Sequence, residues 1–159
     1  MLHLIPAPLH RRLYRVADRI RRLWWRVGNP QRTSVLVAAF DDRGRVLLVR
    51  HSYGPPVWAL PGGGIGRSED PAAGAAREFR EELGCELTHI LPVEARELDE
   101  SGSRDRLHFF AADLAGTPAP DMREIIAVGL FDANELPRPC DRRVGPAIAQ
   151  AKAELSKQR

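Results

Sequence analysis

Apolar residues recur along this chain at two different periods. Leu9, Leu13, Val16, Ile20, Leu23 and Val27 are spaced by three and four with arginines between them, which predicts an amphipathic helix over residues 8–27. Asn29-Pro30 stops it. Ser34 to Phe40 (SVLVAAF) is rich in β-formers, Asp41 to Gly44 reads as a turn, and Val46 to Val49 as a second strand, so the two runs form a hairpin. Trp58-Ala59-Leu60 is short and apolar, and Pro61 to Gly64 breaks it. Asp70 is placed to cap a helix over residues 71–83, with Pro71 at its first position and Gly84 at its end. Strands follow near 88–98 and 106–114, then a proline-containing loop from Gly116 to Asp121, a strand from Ile125 to Phe131, and a turn at Asn134 to Pro137. Val144, Ile148, Ala151 and Leu155 mark a closing amphipathic helix. Strands interrupted by one central helix and followed by another predict a mixed α/β sandwich.

The chain has 159 residues, enough for one domain. Its apolar fraction of 43% and charged fraction of 28% are those of a globular protein with a real core. No stretch approaches the roughly 18 apolar residues of a membrane span, and the opening residues lack the apolar core of a secretory leader. Cys85 and Cys140 have no metal-binding or redox spacing, so both read as reduced thiols and the expected location is the cytoplasm. The net charge of +3 is unevenly placed. Residues 1–32 hold eight arginines against Asp18, about +7, which leaves the rest near −4. The reading is a basic helical extension over residues 1–32 and a mildly acidic domain over 33–159.

Residues 63–85 carry the chemistry. Gly63 is followed after five residues by Glu69, and seven further residues lead to Arg77-Glu78-Phe79-Arg80-Glu81-Glu82-Leu83-Gly84-Cys85. At 100° per residue Glu78, Glu81 and Glu82 share one face of the predicted helix, while Ala72, Ala76, Phe79 and Leu83 lie nearly opposite. Three carboxylates this close repel one another, and a cation between them converts the repulsion into binding. Clustered hard oxygens suit Mg²⁺ or Mn²⁺ rather than zinc.

The segment resembles the Nudix box, G-x5-E-x7-R-E-U-x-E-E-x-G-U, where U is a bulky aliphatic residue. All seven fixed positions match, at Gly63, Glu69, Arg77, Glu78, Glu81, Glu82 and Gly84. At a background of roughly one in fifteen each, seven together come to about 10⁻⁸ per window. The final aliphatic position is Cys85, a small hydrophobe. Gly66 and Ser68 replace the Glu and Gly frequent in the family's loop, which bears on loop shape more than on chemistry.

The resemblance implies a Nudix-type mixed sheet flanked by helices, and a magnesium-dependent pyrophosphohydrolase that sends water against phosphorus in a nucleoside diphosphate-linked substrate. It implies that Glu81 and Glu82 bind metal. It implies that Glu78 binds metal or a water on it and helps activate that water, that Arg77 orients Glu78, that Glu69 braces loop and helix, and that the Gly63 carbonyl faces the metal. Glu124, six residues before Leu130 and ahead of Glu135-Leu136-Pro137, matches a glutamate that serves the family as extra metal ligand or general base. Glu94, Glu97 and Glu100 are weaker candidates for the base.

Arg50, His51, Tyr53 and Trp58 surround the loop before the box and are candidate substrate contacts, an aromatic stacking on a base and Arg50 holding a phosphate. The basic helix suits packing on the domain or on a second copy in a homodimer, a membrane surface, or nucleic-acid phosphates. The rival reading is a nucleotide sensor of the same fold without turnover, which has no need of the full acidic set. An isomerase on this fold needs a catalytic cysteine, and Cys85 at the helix end is poorly placed for one.

Overall fold

The computed structural model describes residues 32–100 and 103–158. Its elements are β1 (Arg32–Phe40), β2 (Val46–His51), β3 (Gly62–Ile65), α1 (Pro71–Leu83), β4 (Glu86–Glu100), β5 (Ser103–Ala115), β6 (Ile125–Phe131) and α2 (Val144–Lys157). The strands form one mixed sheet in the order β4-β5-β1-β2-β6, with β3 on the free edge of β1. The helix expected over residues 8–27 lies outside the described residues, and Arg32, expected in the extension, opens β1.

β1 is central and buried on both faces, so its sequence is almost continuously apolar. The two-residue period still sorts its side chains. Val35, Val37 and Ala39 join Leu47 and Val49 under α1, while Ala38 and Phe40 join Val46 and Leu48 under α2. Helix α1 contributes Ala75, Phe79 and Leu83 to the first cluster, and α2 contributes Val144, Ile148 and Ala151 to the second. Ala75 rather than Ala76 is at the centre of the α1 contact, because the helix leans on β3. A Cβ on Gly74 would lie 2.6 Å from Ile65 Cγ2.

Both termini of α1 are capped as the sequence predicts. The Asp70 carboxylate accepts from Ala73 N at 2.9 Å, and Gly84 takes the left-handed conformation at φ 61°. The expected hairpin exists only at its turn. Gly44 N donates to Asp41 O at 2.9 Å, and Phe40–Val46 is the single register pair between β1 and β2. The strands then part, β2 pairing with β6 and β1 with β3.

That divergence explains why the expected break at Pro61 to Gly64 is instead a strand. The edge of β1 left open by β2 needs partners for its backbone groups. Gly62 to Ile65 supply them, with Val35 opposite Gly63. A side chain would prevent the approach, since a Cβ on Gly62 would strike the Val35 carbonyl. On the other edge β5 runs parallel to β1 and closes a long hairpin with β4. Among the described residues no helix is long and apolar enough to cross a membrane.

Candidate active site

The turn from β3 into α1 is tied down by one ion-paired knot. Glu69 Oε2 accepts from Gly66 N at 2.9 Å, and Oε1 accepts from Arg77 Nε at 2.8 Å. Arg77 reaches Glu69 a second time, Nη2 to Oε2 at 3.2 Å, so the contact is two-pronged. The same guanidinium places Nη1 2.8 Å from Glu78 Oε1 and 3.0 Å from Glu81 Oε2. Arg77 holds the Glu69 carboxyl below the usual carboxylate range, and its acidic partners raise the pKa of the guanidinium further.

Beside this knot a second group of acids crowds together, and Glu78 belongs to both. The Glu78 side chain is only 13% exposed. A Cβ on Gly63 would come within 3.1 Å of Glu78 Oε2, so the glycine is what lets β3 lie against this carboxyl. Glu82 is half-buried beside it. Burial first, then the charges of Glu78 and Glu124, push the Glu82 carboxyl up to about 9, and a hydrogen bond with Glu78 and the charge of Asp121 act in the same direction.

Glu124 is brought here by a loop docked on the end of α1. Ala119 N donates to Leu83 O at 2.8 Å and Asp121 N to Glu82 O at 2.9 Å, satisfying carbonyls that a helix end leaves free. The Asp121 carboxylate then accepts from Arg123 N at 2.9 Å, Glu124 N at 3.1 Å and Ile125 N at 2.9 Å. Ser52 N closes the contact on Glu124 O at 2.8 Å. Asp121 was not singled out in the sequence. Its signal was an aspartate three residues before Glu124, the spacing of a side chain that folds back on its own backbone.

The acids expected to converge therefore divide. Glu78, Glu82 and Glu124 are neighbours, whereas Glu81 is mostly exposed and turned to Arg77. Among the described residues no three acidic, histidine or cysteine side chains are gathered as a ready-made cation site. The Arg77–Glu81 pairing is an exposed contact worth at most about 1 kcal/mol, so turning Glu81 toward its neighbours costs little. The donor set fits a hard divalent cation: it consists of carboxyl groups, one of which is kept from ionising by its burial and then by its acidic neighbours.

A cavity of about 730 Å³ opens beside Gly63 on the side of α2. His51 and Tyr53 line it, with ring centroids 5.2 Å apart. Burial holds the His51 imidazole below its usual value, partly opposed by Asp121. Arg50 is outside the lining and donates from Nη2 to Pro56 O at 3.4 Å. Trp58 packs edge-on against Phe131 at 5.0 Å in the α2-side core. Of the weaker acids, Glu94 accepts from Gln150 Nε2 on α2 at 3.3 Å, and Glu97 lies 3.8 Å from Arg106 on the exposed hairpin.

The NUDIX domain model matches residues 30–151. An RNA pyrophosphohydrolase of Acidiphilium cryptum is 41% identical over 66 residues, which are 39% of this chain and 40% of that protein. A CMP-5'-(N-acetyl-N-hydroxy-3-aminopropyl)phosphonate hydrolase of Streptomyces rubellomurinus is 32% identical over 117 residues, 66% of this chain and 55% of that protein. The chain thus matches between about two fifths and just over half of the length of these two relatives. The crystal structure of a MutT NUDIX hydrolase from Burkholderia pseudomallei superposes with a TM-score of 0.67 at 26% identity, over 76% of this chain and 98% of that one. With a family model spanning nearly all the described residues and a solved relative sharing the architecture, this chain belongs to the Nudix family.

Proposed function

We propose that the chain is a metal-dependent pyrophosphohydrolase that cleaves a nucleoside diphosphate-linked substrate by water attack at phosphorus. The observation that carries this reading is the acid group around Glu82. A carboxyl pushed up by its burial and then by three acidic neighbours destabilises a metal-free fold at neutral pH, and such perturbed groups cluster where chemistry is done. Glu78, Glu82 and Glu124 would hold the cation, joined by Glu81 once it leaves Arg77 and by the carbonyl of Gly63. A divalent cation bound there neutralises the diphosphate and lowers the pKa of water.

The protein's own groups supply the rest. Arg77 fixes the rotamer of Glu78 from one side while Glu69 anchors Arg77 from the other. Asp121 holds the backbone that presents Glu124. Glu78 and Glu124 both stand next to Glu82, and either can take the proton of the attacking water. The cytoplasm and a nucleotide-type substrate agree with this chemistry, and the two curated relatives carry names that refer to RNA and to a CMP-linked phosphonate.

Product release from a panel of diphosphate-bridged nucleotides, with Mg²⁺ or Mn²⁺, tests the reading on wild type and on Glu82→Gln. Turnover of at least one compound by wild type and its loss in the variant are expected. Equal turnover by both would remove the acid group from the reaction, and binding without hydrolysis across the whole panel would favour the sensor.

A further inference from the structure

The segment that carries Glu124 is held from two directions. Asp121 holds it from within, accepting from Glu124 N at 3.1 Å. Ser52, the residue after β2, holds it from another strand. Ser52 Oγ donates to Arg123 O at 2.6 Å, and Ser52 N donates to Glu124 O at 2.8 Å. Those two carbonyls belong to the peptide units on either side of the Glu124 Cα. One serine therefore fixes the backbone before and after the side chain that joins the acid group. A hydroxyl carried on Cβ is a short donor that reaches a neighbouring strand's carbonyl without spreading the strands.

The ladder between β2 and β6 is arranged to bring these residues together. Arg50 stands opposite Ala127 and His51 opposite Ile125, so Ile126 is passed over between them. An unbroken register would set Ser52 against Ile125, and the shift sets it against Glu124. Bulges are frequent beside active sites, where they re-aim a side chain. The same segment holds Met122 at φ 60°, a left-handed backbone that costs energy in a residue with a Cβ. Such a conformation persists where its surroundings over-determine it, and the bonds from Asp121 and Ser52 supply that constraint.

We infer that Ser52 is a positioning residue for Glu124: by holding the Arg123 carbonyl it sets the Glu124 carboxylate in the acid group where the cation would bind. In this role Ser52 touches neither cation nor substrate and acts only through the backbone of residues 123 and 124. Partners that orient a metal ligand typically matter 10- to 100-fold in metal affinity or activity, about. The inference rests on the function proposed above, in which Glu124 is a ligand, and adds to it a residue from outside the motif and from another strand.

Mn²⁺ affinity of the full chain, measured by calorimetry on wild type, Ser52→Ala, Glu124→Gln and the double variant, tests it. Ser52→Ala should bind Mn²⁺ roughly tenfold more weakly, and Ser52→Thr, which keeps the hydroxyl, should recover affinity to within about threefold. In the Glu124→Gln background Ser52→Ala should change affinity less than about twofold, because a residue that acts through Glu124 has nothing left to position. A merely structural serine would weaken binding equally in both backgrounds, and that result overturns the inference. Unchanged affinity in Ser52→Ala, or in Glu124→Gln, overturns it as well, as does a wild type that binds no Mn²⁺. Should Ser52→Ala fail to fold, Ser52→Cys, whose thiol is only a weak donor, carries the same comparison. Hydrolysis of the diphosphate panel without the coupling between Ser52 and Glu124 sinks this inference and spares the enzyme. The coupling in Mn²⁺ binding without any hydrolysis does the reverse.

Discussion

The carboxylates around α1 fall into two groups held in opposite ways. Glu69 and Glu81 lie on the loop side and meet Arg77, and the pairing lowers the Glu69 carboxyl. Glu82, Glu124 and Asp121 lie on the cleft side among one another, and Glu82 is pushed up to about 9. Glu78 belongs to both, touching Arg77 with one oxygen and approaching Gly63 with the other. One short helix thus carries a brace built on a single guanidinium and a pocket of crowded acids. The brace shapes the loop, and the pocket stores repulsion that a cation, bound as proposed, would relieve.

The comparison breaks most decisively at Glu82. Glu82→Gln should cut turnover roughly 10²- to 10⁴-fold, the range lost with a group at the reacting centre. Thermal melting of the metal-free protein should at the same time rise or hold, because a poorly placed acid is gone. A variant that loses stability instead would move Glu82 into the structural group.

Arg77→Ala removes the partner of three acids at once. A fall in kcat/KM of about 10- to 100-fold is expected, the usual cost of a group that orients a ligand. Faster proteolysis across residues 62–70 should accompany it. Arg77→Lys should not restore the rate, since an ammonium lacks the two-pronged geometry.

Asp121→Ala strips the acceptor from three backbone N–H groups and should cost about 1–3 kcal/mol in urea unfolding. Asp121→Asn keeps an acceptor oxygen and should recover much of that loss. Equal destabilisation by both would mean that the charge, not the turn, matters.

The smallest effect is a pH slope. The Glu82 pKa is raised from 4.5 in the unfolded chain to about 9, so the metal-free fold keeps a proton that the unfolded chain has lost between these values. Its contribution to stability therefore falls as pH climbs through that window. Glu69 acts the other way, stabilising above the ordinary carboxylate range and losing that effect as pH drops. A cation bound as proposed would replace the proton on Glu82, so the melting shift produced by Mg²⁺ should be a few degrees larger near pH 8 than near pH 5. A shift independent of pH would separate metal binding from Glu82.

Much of this was readable before any coordinates. The caps at Asp70 and Gly84, the helix between them and the strand before Asn134 follow from local rules, and each matches. The spacing of Glu78 and Glu82 put both on one helical face because the helix repeat is local. Neither the strand at Gly62 to Ile65 nor the early parting of the β1–β2 hairpin was legible, since both depend on which edge is left open. The direction of Glu81 was also hidden. The helix repeat fixes where a side chain starts, not which neighbour it meets, and Arg77 is that neighbour.

The linear order of residues thus determined the family, the helix that bears the acids, and the alternation that buries one face of each strand. All of these arise from contacts within about a dozen residues or from a motif read end to end. Tertiary structure decided which acids stand together, by docking the loop at Asp121 onto the end of α1 and so setting Glu124 against Glu82. It also joined Ser34 to Asp105 across 71 residues. Such pairings depend on how the sheet closes, and no local period of polar and apolar residues records that.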